Sequence, residues 1–199
     1  SSAMDDTESN TNADKVFERS LNMALSVDTN AIKGMILGQG ARWAYVLTKN
    51  DIAVFKVVDG EPKLYQTVKV DNGEVTVAEP LQGEISLLVG NSKGVVSQWF
   101  LVRETQDNQE KFVLQKISQF QLGSAPITAI APEAKRKGFV AGDAQGNIGY
   151  FYTTSERTIG IHAAATTPIK ELSVSARSEG IFVQAADSAS FWNLHTEHP

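Results

Sequence analysis

The chain has 199 residues, a formal net charge of −5 and no cysteine. Its length suits one large or two small domains, and its 42% of hydrophobic residues suits a packed globular core. The negative charge disfavours general binding to nucleic acids or anionic lipid surfaces, and the lack of cysteine excludes disulfides, zinc–thiolate sites and a thiol nucleophile.

The first residues are small, polar and acidic. We predict that residues 1–15 form a flexible tail or a remnant of the expression vector, and that one domain occupies residues 16–199. Between residues 17 and 27 the apolar side chains fall mostly on odd positions, a period of two that predicts a strand. A short amphipathic helix is the competing interpretation of this segment.

A first repeat of strands is predicted from residue 32. Its strands cover residues 32–37, 42–47 and 52–58, and a polar turn at residues 49–51 separates the second strand from the third. Asp59, Gly60 and Pro62 signal the next turn. Residues 63–70 then alternate polar and apolar side chains, which is typical of a half-exposed outer strand.

The second repeat contains the clearest strand–turn–strand pattern of the chain. An apolar run at residues 84–90 leads into the polar turn 91–94, which ends in glycine, and residues 95–100 follow with Trp99. Residues 75–77 and 112–122 supply the first and last strands. Residues 103–111 are charged and contain no apolar residue, so we predict a long hairpin loop there.

Two further repeats follow. The third has strands at residues 125–130, 138–142, 147–151 and 157–162, with a turn at residues 143–146. The fourth has strands at residues 168–172, 180–184 and 189–194, and lacks an outer strand. The segment 17–27 could fill that place and close a ring, or it could be the last strand of another blade.

The spacing of the turns predicts the architecture. One Asn or Asp marks each turn, and these residues are successively 41, 52 and 44 positions apart: Asn50, Asn91, Asp143 and Asp187. A hairpin that recurs every ~40–45 residues is typical of four-stranded propeller blades. An aromatic residue follows each turn on the third strand, and we expect it to be buried and to pack against the next blade; these residues are Phe55, Trp99, Phe151 and Trp192.

We therefore predict an all-β, propeller-like domain of about four four-stranded blades. The ring is either closed or an incomplete, open propeller of the WD40 or quinoprotein-like kind.

Several segments carry a resemblance to a known family: residues 84–94 with 98–103, residues 132–139, and residues 193–199. Together they resemble the soluble region of the permease subunit of the phosphate ABC transporter, in its long form with a large extra domain. The similarity covers roughly residues 32–199. It implies a periplasmic domain that follows one N-terminal membrane helix, with more domain sequence ahead of Ser1. It also implies that ATP hydrolysis and phosphate capture belong to separate subunits.

The resemblance predicts a noncatalytic accessory domain at the periplasmic face of the bacterial inner membrane. Its expected partners are the other phosphate transporter subunits: the second permease, the ATPase subunit through the membrane core, and the phosphate-binding protein. No apolar run reaches the ~20 residues that span a bilayer, so a membrane anchor is expected outside this sequence. A general periplasmic assembly scaffold and a quinoprotein-like propeller enzyme are the alternatives.

No motif predicts a catalytic, cofactor or metal site. The glycine pair Gly38 and Gly40 lacks the third glycine of a dinucleotide fingerprint, and there is no Walker loop. Residues 143–147 resemble a calcium loop only faintly, because they lack the alternating oxygen ligands and the distal glutamate. The histidines His162, His195 and His198 are read as surface residues.

The only compact basic cluster is Lys135, Arg136 and Lys137, which falls between the first two strands of the third repeat. A solvated loop is one interpretation of this cluster. The other is a contact with an acidic partner or an anion, since adjacent cations raise the local potential even in an acidic chain.

Overall fold

The computed structural model describes residues 29–38, 40, 42–81, 86–133, 138–177 and 179–193. After a short 3-10 helix at Thr29–Ala31, every helix or strand in this described part is a β-strand, fifteen in all. The predicted strand at residues 17–27 and the boundary between residues 15 and 16 lie outside the described residues.

The strands form four antiparallel sheets, and in each sheet the strands pair in chain order. The first sheet contains β1 (Gly34–Leu37), β2 (Trp43–Leu47), β3 (Asp51–Val58) and β4 (Glu61–Lys69). The second contains β5 (Val75–Leu81), β6 (Ser86–Asn91), β7 (Val95–Gln106) and β8 (Gln109–Gln121). The third contains β9 (Ile127–Pro132), β10 (Gly138–Asp143), β11 (Asn147–Tyr152) and β12 (Arg157–Ala163). The fourth contains β13 (Ile169–Val174), β14 (Gly180–Ala185) and β15 (Ala189–Asn193). The four predicted repeats are confirmed as four blade-like sheets.

The sheets pack face to face in the order of the chain. Apolar clusters fill the space between the first and second sheets, the second and third, and the third and fourth. Within the described residues the fourth sheet does not pack on the first, so the four sheets form an open arc. Neighbouring sheets therefore bury the apolar faces that they turn towards each other, as repeat architectures require.

Two glycines allow neighbouring sheets to approach closely. A Cβ at Gly90 would lie 2.6 Å from Cγ2 of Ile127, and a Cβ at Gly142 would lie 2.6 Å from Cγ2 of Ile169. Each glycine is the penultimate residue of the second strand of its sheet, and each isoleucine begins the first strand of the next sheet. The same contact between a glycine and an isoleucine thus sets the distance between the second and third sheets and between the third and fourth.

The third-strand aromatics occupy equivalent positions, but they face the preceding sheet and not the following one. Phe151 contacts Phe120 of the second sheet with ring centroids 5.5 Å apart. Trp99 belongs to the cluster shared with the first sheet, and the half-buried Trp192 stacks on His162 of the third sheet. The expected direction of packing was wrong, because alternation along a strand decides which face a side chain shares but not which neighbouring sheet covers that face.

The predicted long loop at residues 103–111 is also wrong. β7 and β8 continue as a paired ribbon to Gln106 and Gln109, and only Asp107 and Asn108 form the turn. Both turn residues have positive φ, 53° and 63°, as a two-residue hairpin of the mirror-image type requires. The segment is charged because both faces of this extended ribbon meet solvent, and not because it is a loop.

A bulge recurs beside the third-strand aromatic in the three complete sheets. The register shifts at Phe55, Trp99 and Phe151, where each outer strand has one extra residue. The extra residues are Tyr65, Ile117 and Ile159, and all three are exposed. A bulge increases local twist, so the repetition gives each outer strand the same bend.

Candidate functional site

The outer edge of the fourth sheet is unpaired in the described part of the chain. In the other three sheets an outer strand pairs with the third strand, whereas β15 pairs only with β14. A sheet edge without a further strand is a position at which an added strand can pair.

The face of the fourth sheet that points away from the third sheet carries an exposed aromatic pair. Phe182 is 56% exposed and Phe191 is 54% exposed, and their ring centroids lie 4.8 Å apart. The ring of Phe191 lies directly against Gly180, where a Cβ would come within 2.0 Å of its Cζ. The absence of a side chain at Gly180 therefore lets this ring lie flat on the sheet. We call this face, with the β15 edge, the open fourth sheet.

The opposite face of the fourth sheet is anchored. Ile181 and Val183 are buried against the third sheet, and Trp192 packs with them. The Trp192 indole stacks on His162 at 5.4 Å, and its Nε1 donates a hydrogen bond of 2.8 Å to Ser190 Oγ. The sheet is thus held rigidly from one side, and Phe182 and Phe191 are presented by the other.

A second candidate site is a cleft of about 700 Å³ where the first and second sheets meet. We call it the seam pocket; it is lined by Gly40, Arg42, Trp43, Lys56, Val57, Arg103 and Phe112. The start of β2 and the end of β3 provide its first wall, and the extended β7–β8 ribbon provides the second. The pocket combines three cations with two aromatic rings.

The basic cluster Lys135, Arg136 and Lys137 lies outside the described residues, as do His195 and His198. His162 is described, and it packs against Trp192. In the described part of the chain, no group of three or more His, Cys, Asp or Glu side chains is placed to hold a metal ion.

The Asp143 segment forms the turn predicted for it. Asp143 Oδ1 accepts hydrogen bonds of 2.9 Å from the backbone N–H groups of Gln145 and Asn147. Asp143 Oδ2 accepts a bond of 3.0 Å from Asn147 Nδ2. Asn91 makes the equivalent backbone contacts in the second sheet, to Lys93 and Val95. Both side chains serve the turn between the second and third strands.

The seam pocket and the aromatic pair carry little signal in the sequence. Arg42, Lys56 and Arg103 are far apart in the chain and meet only in the fold. Phe182 and Phe191 lie beside other apolar residues of their strands, so the local sequence does not show that their side chains are exposed. The sequence feature that bears on this edge is the lack of an outer strand in the fourth repeat, a place for which the segment 17–27 was one candidate.

No protein-family model matches the sequence, and no curated protein matches it significantly. Among solved structures, the computationally designed Ika4 protein superposes with a TM-score of 0.63 at 16% identity, over 84% of this chain and 93% of that one. The β-propeller domain of Cps50 (Swd1) from Myceliophteria thermophila superposes with a TM-score of 0.66 at 10% identity, over 82% of this chain.

The chain spans about half of that second structure, 51% of its length. At these identities the likeness concerns the fold alone, and the fold is propeller-like. No helix in the described part of the chain is long and apolar enough to cross a bilayer.

Proposed function

We propose that this chain is a noncatalytic interaction domain that binds a protein partner through the open fourth sheet. The observation that carries the proposal is the pair Phe182 and Phe191, which is more than half exposed on a sheet that has no outer strand among the described residues. Exposed aromatic groups on a rigid support are typical anchors of protein interfaces, because they bury a large area at a low cost in conformational entropy.

We further propose that the domain is the periplasmic accessory domain of a phosphate ABC transporter permease. This part of the proposal rests on the sequence resemblance alone. In that setting the domain contributes to phosphate import by contacts or regulation, without chemistry of its own. Its soluble partner would be the phosphate-binding protein, while the second permease and the ATPase subunit would be reached through the membrane core.

The test is a binding measurement between this domain and the purified phosphate-binding protein by calorimetry, with the detergent-solubilised transporter as a second partner. The double variant Phe182→Ser/Phe191→Ser should weaken binding at least about tenfold, since two hot-spot aromatics are removed. Leu64→Ser is the matched control, because Leu64 is 55% exposed but lies in the first sheet. Circular dichroism checks that all variants remain folded.

Two results would contradict the proposal. If neither transporter partner binds the unaltered domain, the transporter assignment fails. If a partner binds and the double variant binds equally well, the open fourth sheet is not the contact surface. Deleting the domain from the full-length permease and measuring phosphate uptake separates a role in transport from that of a general scaffold.

A further inference from the structure

The floor of the seam pocket is a fixed aromatic surface. Trp43 is buried, and it meets Tyr65 and Phe112 edge to face at centroid distances of 5.0 and 5.6 Å. The Tyr65 hydroxyl accepts a hydrogen bond of 3.1 Å from the backbone N–H of Phe112, which ties the two sheets together beside the pocket. The rings are therefore held in place before any ligand arrives, which lowers the entropic cost of binding.

The side walls of the pocket are positively charged. Arg42, Lys56 and Arg103 line it, and the lining contains no aspartate or glutamate. Lys56 lies directly opposite Lys63 in the β3–β4 pairing, an arrangement of like charges that destabilises a sheet unless an anion compensates it. The chain as a whole is acidic, with a net charge of −5, so this concentration of cations is local.

Little of this charge is neutralised. Arg103 Nη1 lies 3.7 Å from Glu110 Oε1, a loose and exposed ion pair, and its guanidinium stacks over the Phe112 ring at 5.5 Å. Neither Arg42 nor Lys56 forms an ion pair with any of the described residues. Among the described residues, the pocket thus offers at least two cations without an ion-pair partner beside an apolar floor.

We infer that the seam pocket binds an acidic peptide segment of a protein partner, with an aromatic side chain on the Trp43–Phe112 floor and carboxylates on the surrounding cations. Arg and Lys at the rim suit carboxylates, and the aromatic floor suits a flat apolar side chain. Inorganic phosphate could pair with the same cations, but it would leave the aromatic floor unused. The inference goes beyond the proposed function, because the pocket is separate from the open fourth sheet.

The test uses the peptide acetyl-Glu-Phe-Asp-Phe-Glu-amide and follows the indole N–H resonance of Trp43 by NMR, assigned with Trp43→Phe. We expect a saturable shift of this resonance. The neutral peptide acetyl-Gln-Phe-Asn-Phe-Gln-amide should bind at least about tenfold more weakly, and inorganic phosphate at the same concentration should leave the resonance unchanged.

Matched variants locate the charge effect. Arg42→Gln/Lys56→Gln should weaken binding of the acidic peptide about tenfold, since two exposed charge contacts are removed. Lys170→Gln/Arg177→Gln changes the net charge equally but alters exposed cations in and near the fourth sheet, and it should leave binding unchanged. Phe182→Ser/Phe191→Ser should also leave it unchanged, which separates this pocket from the proposed function.

Four outcomes would overturn the inference. Equal weakening by the two charge variants would mean diffuse electrostatic attraction. Equal binding of the neutral peptide would mean an apolar contact without charge recognition. A phosphate-induced shift of the same size would mean a simple anion site. The absence of any shift at millimolar acidic peptide would mean that the pocket does not take such a segment.

Discussion

The hydroxyl of Tyr45 is the least favourable buried group in the first sheet. Tyr45 is only 1% exposed, and its hydroxyl has no hydrogen-bond partner among the described residues. Burial raises its pKa well above the ordinary range. A buried hydroxyl without a partner costs ~1–3 kcal/mol relative to a satisfied one.

We expect Tyr45→Phe to leave the free energy of unfolding unchanged or to raise it by up to ~2 kcal/mol, as measured by urea denaturation. Tyr150→Phe is the contrasting variant, because the Tyr150 hydroxyl donates a hydrogen bond to the buried Glu133 carboxylate. It should lower the free energy of unfolding by ~1–3 kcal/mol. A loss of stability in Tyr45→Phe would mean that the hydroxyl has a partner after all.

Glu79 links stability to pH. This half-buried residue lies on β5 opposite Leu88, and burial raises the pKa of its carboxyl group. A raised pKa in the folded state means that ionisation costs stability. The penalty is absent below the pKa of the unfolded chain and grows as the pH rises through the pKa of the folded state.

Glu79→Gln should therefore raise the thermal midpoint at pH 7, by roughly 1–2 °C for a domain of this size. At about pH 3.5, where carboxyl groups are largely protonated, the midpoints of the two proteins should coincide. Differential scanning calorimetry at both pH values checks this. An equal increase at both would indicate better packing or β-propensity and not a titration effect.

At the scale of elements, the turns between second and third strands hold each hairpin together. Asp143 is fully buried, and its carboxylate accepts two backbone hydrogen bonds within the turn. Gly146 ends the turn at a φ of 89°, and a Cβ there would lie 2.1 Å from the carbonyl oxygen of Ala165. The turn is thereby packed against the connection to the next sheet.

We expect Asp143→Ala to lower the free energy of unfolding by ~1–3 kcal/mol, since two partly buried N–H groups of the turn lose their acceptor. Asp143→Asn should cost less, because Asn91 fulfils the same role in the second sheet with one side-chain oxygen. Chemical denaturation of both variants tests this order. Equal destabilisation would show that the negative charge, and not the shared oxygen acceptor, stabilises the turn.

The strand repeats could be predicted from the sequence because turn residues and apolar runs are local signals. The 52 residues between the turns at Asn91 and Asp143 include residues 103–111, which the sequence predicts as a loop. They form a strand ribbon instead, and a ribbon exposed to solvent has the same polar composition as a loop. The bulges opposite Phe55, Trp99 and Phe151 could not be predicted either. One extra residue in the outer strand only shifts the positions at which polar and apolar side chains alternate. Leu64 is exposed for this reason, although its alternation suggested a half-buried position.

At the scale of the whole molecule, the sites depend on how the sheets are arranged, and the sequence holds little information about that. The three cations of the seam pocket come from two sheets. Phe182 and Phe191 are exposed only because nothing among the described residues covers that face of the fourth sheet. Neither fact follows from local pattern. The contact with an acidic partner or an anion that the sequence suggests for Lys135, Arg136 and Lys137 remains a prediction.

The direction of aromatic packing has a consequence for biosynthesis. Trp99, Phe151 and Trp192 each lean on the sheet that precedes them in the chain, so each hairpin emerging from the ribosome meets a surface that has already been translated. These three aromatics need no later sheet to cover them, whereas Phe120 of the second sheet is covered by Phe139 and Phe151 of the third. The order of synthesis therefore matches the direction in which these three side chains pack, which shortens the time that they spend in contact with water.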